Sequence, residues 1–260
     1  MLRPRIIPCL LVHDKGLVKT VGFSSPKYVG DPINAVRIFN EKRADELMVV
    51  DIDATSNNRE PDYQLIEKLA SECRMPLCYG GGIKTVEQAE RIFALGVEKI
   101  ALSAAAIERP ALVKEIAERV GNQSVVVVLD VQKKFLGGYE VVTHNAKRKT
   151  GKSPESMAAL FQEMGAGEIV VNSVDNDGKM KGYDLALAEK VRKVTSIPMT
   201  ILGGVGSLED VGKLIAKFGI VGAAVGSLFV FKGVYKAVLI NYPNGEEKDD
   251  LIKTHLRINR

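Results

Sequence analysis

The second half of this chain repeats the first at an offset of about 122 residues, and few folds accommodate a duplication of that size. Gly81-Gly82 before IKTVEQ returns as Gly203-Gly204 before VGSLED. Asp31-Pro32, ahead of a helical pattern, returns as Ser153-Pro154. Phe39 returns as Phe161, Glu46 as Glu168 and Asp53 as Asp175. Each copy is long enough for several strands and helices, so the pattern describes two fused half-domains rather than a solenoid of short units.

Short β-rich runs alternate with helix-compatible stretches along both copies: RIIPCLLV, ELMVVDID, PLCYGGG, KIALSAA, SVVVVLDV, EIVVNSVD, PMTILGG and GAAVGS. Alternating β and α elements need crossover connections, which makes the strands parallel. Their nearly continuous apolar content suits a sheet covered on both faces. An open doubly wound sheet would also alternate this way. Eight βα units in a duplicated four-plus-four instead favour a closed (β/α)8 TIM barrel, made of half-barrels at about residues 1–122 and 123–245. No linker or low-complexity tract divides the chain, so one domain over residues 1–260 is expected. Asp31 and Ser153 read as N-caps with proline at the first helical position, and Thr85 with Gln88 as a capping box. The charged tail NGEEKDDLIKTHLRINR reads as a surface helix.

At 260 residues and 46% hydrophobic content, the chain can bury a large core. No apolar run reaches the ~18 residues that a membrane span needs, and nothing resembles a signal peptide. Cys9, Cys73 and Cys78 have no metal-ligand spacing, so a reduced, cytoplasmic setting is expected, with neither metal nor cofactor. A net charge of +4 is too mild to indicate nucleic acid and agrees better with an anionic small molecule.

Chemistry in such barrels sits at the C-terminal strand ends. Those ends carry Leu11, His13 and Asp14, then Asp51 and Asp53, then Gly80-Gly81-Gly82, Ser103-Ala104 and Asp130. They continue with Asn172, Ser173, Asp175 and Asp177, then Gly203-Gly204 and Gly226-Ser227. Glycine at a strand end lets backbone N–H groups approach an anion. Ends 3 and 4 therefore predict one phosphate site, and ends 7 and 8 its repeat, which suits a substrate phosphorylated at both ends. Asp130 closes the apolar run VVVVLD, where partial desolvation would raise its pKa and fit it for general acid–base work. Its repeat partner, Leu11, cannot transfer protons. At the opposite strand ends, Arg5, Glu46, Lys99 and Glu168 supply four charges of alternating sign, readable as a stabilising plug.

Taken together, RIIPCL, VVDID, YGGGI, VVVVLD, SVDNDGKMKGYD and LGGVGS resemble the HisF family, the cyclase subunit of imidazole glycerol phosphate synthase, over nearly the whole chain. The resemblance implies a HisH-type glutaminase docked on the lower rim in a heterodimer. Ammonia would then pass through the barrel, gated by Arg5, Glu46, Lys99 and Glu168. At the upper face it would meet a bis-phosphorylated ribulosyl aminoimidazole carboxamide substrate, giving imidazole glycerol phosphate and aminoimidazole carboxamide ribotide. Lys19 matches a basic residue of the family's mobile first loop. The substrate contacts so implied involve Lys19, Asp51, Gly81, Gly82, Ser103, Asp177, Gly178, Gly203, Gly204, Gly226 and Ser227. Two departures stand out: Leu11 replaces one of the family's two catalytic aspartates, and Ser103-Ala104 replaces an Asn-Thr pair at one phosphate. The favoured expectation is a paralogue that feeds ammonia to a third enzyme, an amidotransferase making acetamidino sugars for bacterial surface polysaccharide. The alternatives are an authentic histidine-pathway cyclase and a scaffold that only activates the glutaminase.

Overall fold

The computed structural model describes residues 3–233 and 235–256, so the last four residues of the charged tail lie outside it. Eight strands run parallel around one axis: β1 Arg5–His13, β2 Leu47–Asp51, β3 Leu77–Gly80, β4 Lys99–Leu102, β5 Val125–Lys133, β6 Glu168–Ser173, β7 Met199–Leu202 and β8 Gly222–Val225. Each pairs with the next, and β8 returns to β1 through Arg5↔Gly222 to Pro8↔Val225. The sheet is therefore closed, as the duplicated pattern favours.

The outer helices are α1 Pro32–Glu41, α2 Tyr63–Glu72, α3 Val86–Ala94, α4 Ala111–Val120, α5 Pro154–Glu163, α6 Leu185–Arg192, α7 Leu208–Phe218 and α8 Gly245–Leu256. Asp31 and Ser153 cap α1 and α5 through the N–H groups of Asn34 and Ser156, with proline at the first turn of each. Thr85 caps α3, but Gln88 Oε1 accepts from the N–H of Lys84 rather than from Thr85, so the predicted box is not reciprocal there. A full box forms instead at Ser207 and Asp210 on α7.

Two apolar layers result from the two-residue period of the strands. Outward residues such as Leu10, Leu47, Tyr79, Ile100, Val127 and Ile169 pack under the helices. Inward residues Ile7, Cys9, Met48, Cys78, Ala101, Val126 and Val170 line the axis, with Leu11, Val50, Val128 and Leu202 packed against them.

The tail is more than a surface helix. Ahead of α8, buried Tyr242 donates its hydroxyl to the Ile6 carbonyl and lies edge-on to Phe39 and Phe229. Lys248 on α8 reaches Asp45 at 2.7 Å, and Ile252 is buried. Apart from Phe229, these partners lie some two hundred residues away in sequence, which is why composition alone concealed them.

The repeated glycines answer to steric needs that are duplicated too. Gly81 and Gly203 have φ of 122° and 95°. A Cβ on either would stand 2.5 Å from the Asp51 carbonyl oxygen or 2.6 Å from that of Ser173. Gly81→Ala or Gly203→Ala is expected to cost about 2–4 kcal/mol in chemical denaturation, combining strain and clash. Gly137→Ala, at an open site with φ of 90°, should cost only about 1 kcal/mol.

Candidate functional site

At the lower end of the axis, Arg5, Glu46, Lys99 and Glu168 close into a ring. Arg5 donates to Glu46 and, at 2.7 Å, to Glu168. Lys99 completes the cycle to Glu46 at 3.0 Å and Glu168 at 3.1 Å. Burial alone would push Glu168 up, but Arg5 and Lys99 hold it below the usual carboxylate range. Lys99 is likewise raised by its two carboxylates against the opposing effect of burial. Thr200 donates to Glu168 at 2.5 Å, and its hydroxyl fills space that only a glycine at 222 leaves open. Thr200 went unread in the sequence, because a threonine inside a strand carries no signal of a charged partner.

The upper end opens into a cavity of about 450 Å³ that reaches down the axis to Cys9, Met48 and Ala101. The expected catalytic and substrate-contact residues line it, from Lys19 and Asp51 through the glycine pairs to Ser103, Asp130, Asp177, Gly178, Gly226 and Ser227, whereas Asp14, Ser173 and Asp175 of the same strand ends do not. Asp130, late on β5, accepts from Asn172 Nδ2 at 2.9 Å and from Ser103 Oγ at 3.4 Å. Burial pushes its carboxyl up to about 6, despite those two hydrogen bonds. It is thus suited to give or take a proton near neutrality. Leu11 lines the same cavity from β1, the strand opposite β5 in an eight-strand ring, and brings no titratable group.

Lys19 is buried, not displayed on a surface loop as its place in the chain suggests. It belongs to a hairpin, Gly16–Val21 and Ser24–Gly30, that folds over the mouth. Its ammonium donates to the Cys9 carbonyl at 2.6 Å and lies 3.4 Å from where a Cβ on Gly226 would be. Burial lowers its pKa, against the opposing influence of Cys9 and the Asp177 carboxylate. A buried ammonium beside Gly226-Ser227 is costly to hold charged, and an anion next to it would favour the charged form. Asp177 anchors the hairpin: it accepts from Thr20 Oγ1 at 2.7 Å and from the Phe23 N–H at 3.2 Å. Gly178 lies so close under the Thr20 carbonyl that a Cβ would clash at 2.1 Å.

Asp51 spends one oxygen on the N–H groups of Asp53 and Ala54 and is raised by burial. Asp53 accepts from His13 Nδ1 at 2.7 Å and from the Asp14 N–H at 2.9 Å, and that bond raises the His13 pKa. His13, Asp14 and Asp53 bring ligand atoms within 4.8 Å of one another. Arg59 stands 3.6 Å from Asp53. His144, Asn145 and Lys147 also line the cavity, from a second hairpin at Tyr139–Thr143 and Arg148–Lys149. This hairpin is the repeat of the one bearing Lys19, and the 122-residue offset would have located it.

A family model described as histidine biosynthesis protein matches residues 5–236. A protein of Leptospira interrogans is 59% identical over 96% of this chain and 99% of its own length. One of Vibrio vulnificus is 58% identical over 95% of this chain and 96% of its own. Both are provisionally named imidazole glycerol phosphate synthase subunits, HisF and hisF3. A Streptomyces coelicolor protein carrying that subunit name without qualification is 41% identical over 80% of this chain and 82% of its own. No described helix is long and apolar enough to cross a membrane.

Asp130 also leaves a mark on stability. Its folded pKa, about 6, exceeds the ordinary value, so the native state binds the extra proton and stability falls as pH rises from about 4 to 6. Asp130→Asn should abolish that dependence, gaining up to about 3 kcal/mol on the parent between pH 4 and pH 7 in urea melts.

Proposed function

Because the chain belongs to the histidine biosynthesis protein family, as one of its HisF-type barrels, we propose that it is the barrel subunit of a glutamine amidotransferase complex. A HisH-type glutaminase docks at the lower rim, and ammonia enters past Arg5, Glu46, Lys99 and Glu168. It moves along the apolar axis to the mouth, where a phosphorylated small molecule is held by Lys19 and the glycine ends of β7 and β8. The setting is cytoplasmic.

In this copy the ring-closing chemistry is reduced. Nitrogen leaving the mouth goes to a third enzyme, an amidotransferase that builds acetamidino sugars for bacterial surface polysaccharide. The observation that carries this reading is Leu11 opposite Asp130, since addition, elimination and ring closure need proton transfer from both sides. The names of the relatives support it: those near 58–59% identity are provisional, whereas the unqualified HisF subunit stands at 41%. One observation favours an authentic cyclase instead. The His13–Asp53 pair lines the same mouth and holds an imidazole where it could substitute for the missing acid.

The two readings separate in one assay. The purified barrel is incubated with the bis-phosphorylated ribulosyl aminoimidazole carboxamide and excess ammonium salt at alkaline pH. Imidazole glycerol phosphate should form roughly 10²–10⁴ times more slowly than with Leu11→Asp, the cost of a lost general acid or base. Equal rates for parent and variant would overturn the paralogue reading and leave the cyclase.

A further inference from the structure

One arm of the mouth ends in a turn whose side chains nothing in the chain covers. The hairpin that continues β5 into Tyr139–Thr143 is closed by five residues, Lys134 to Gly138. In the first half of the barrel the corresponding turn needs only two, Asp14 and Lys15, between His13 and Gly16. The Gly137 N–H donates to the Lys134 carbonyl at 3.1 Å, and the Lys134 N–H to the Gly138 carbonyl at 3.0 Å. The loop is thus a closed β-turn with Phe135 and Leu136 at its corners, positions that ordinarily take Gly, Pro, Asn, Asp or Ser. Both side chains stand in solvent, at 102% and 94% exposure. Phe23, on the other hairpin, instead lines the cavity. Two large apolar groups held out on a tight turn add nothing to the core and mark a contact site.

The ground around the turn is cationic. Beside it runs the stretch from Asp175 to Asp184, whose acids are engaged within the chain. Asp175 accepts from the Lys133 N–H at 2.7 Å. Asp184 takes the Lys133 ammonium at 3.3 Å and the Tyr139 hydroxyl at 3.0 Å, and Asp177 is spent on Thr20 and Phe23. Lys134, Lys179 and Lys181 are exposed and make no ion pair among the described residues. An apolar projection among uncompensated ammonium groups fits a pocket rimmed by carboxylates. A second copy of the chain would bring the same lysines and be repelled. Two side chains are also too little apolar surface to hold a bilayer stably.

We propose that the Phe135–Leu136 turn and its lysines form a docking surface on the upper rim for an acidic protein face with an apolar pocket. This rests on the reading that nitrogen leaving the mouth goes to a third enzyme, and that enzyme is the partner. The turn continues the strand that carries Asp130, at the end of the axis away from the charged ring, so a protein seated on it lies beside the outlet.

The test titrates the barrel, in complex with its glutaminase, with the acetamidino-sugar amidotransferase of the same cell. Binding is followed by analytical ultracentrifugation, and transfer of 15N from glutamine amide to the sugar is read in parallel. Phe135→Ser/Leu136→Ser should weaken the complex at least about tenfold, with melting temperature and basal glutamine hydrolysis unchanged. Lys134→Glu/Lys179→Glu should weaken it too, and parent binding should fall with added salt. Equal affinity in the parent and the serine variant would overturn the proposal. So would association of the parent with itself, or with vesicles containing phosphatidylglycerol, that the serine variant loses while keeping the enzyme. A parent that forms no complex yet still passes glutamine nitrogen to the sugar removes the docking surface alone. One that does neither removes the reading beneath it as well.

Discussion

Closing a parallel sheet on itself forces every second strand side chain toward one axis, and the rest of this structure follows from what stands there. A charge in that position has little access to solvent. Arg5, Glu46, Lys99 and Glu168 are therefore drawn partly out of water together, and each touches two groups of opposite sign. Above them the inward layer is apolar, from Ile7 and Met48 to Val126 and Val170, and polar side chains such as Asp130, Asn172 and Ser103 return toward the mouth. A neutral small molecule suits that sequence of environments; an ion does not.

The mouth shows how unevenly a duplicated scaffold can specialise. Gly81-Gly82 and Gly203-Gly204 retain matched φ angles and matched clashes, because tight passage beside a neighbouring strand end allows no other residue. Leu11 and Asp130 are under no such backbone constraint, and they have diverged in chemistry. The two hairpins have diverged as well. One delivers a buried ammonium to the β8 side, and the other delivers His144, Asn145 and Lys147 across from it.

Much of this was legible in the chain itself. The alternation of strands and helices, the caps at Asp31 and Ser153, and the strand ends that meet at the cavity follow from period, turn chemistry and the 122-residue repeat, which also favours closure. What escaped reading depends on contacts distant in sequence. Lys19 looks exposed until its hairpin is folded over the mouth and anchored by Asp177. The tail looks like a solvated helix until Lys248 and Tyr242 find Asp45 and the Ile6 carbonyl. His13 becomes part of a pair only when β1 and β2 bring Asp53 beside it.

The central claim is transit along the axis, and isotope competition measures it most directly. The complex with its glutaminase is given glutamine labelled with 15N in the amide, together with excess unlabelled ammonium, and the aminated product is analysed by mass spectrometry. Transit through the barrel requires product nitrogen from glutamine in the parent, shifting to external nitrogen when Ala101→Trp fills the lumen. Product nitrogen drawn from the external pool in the parent, or unchanged labelling in the filled variant, would contradict it.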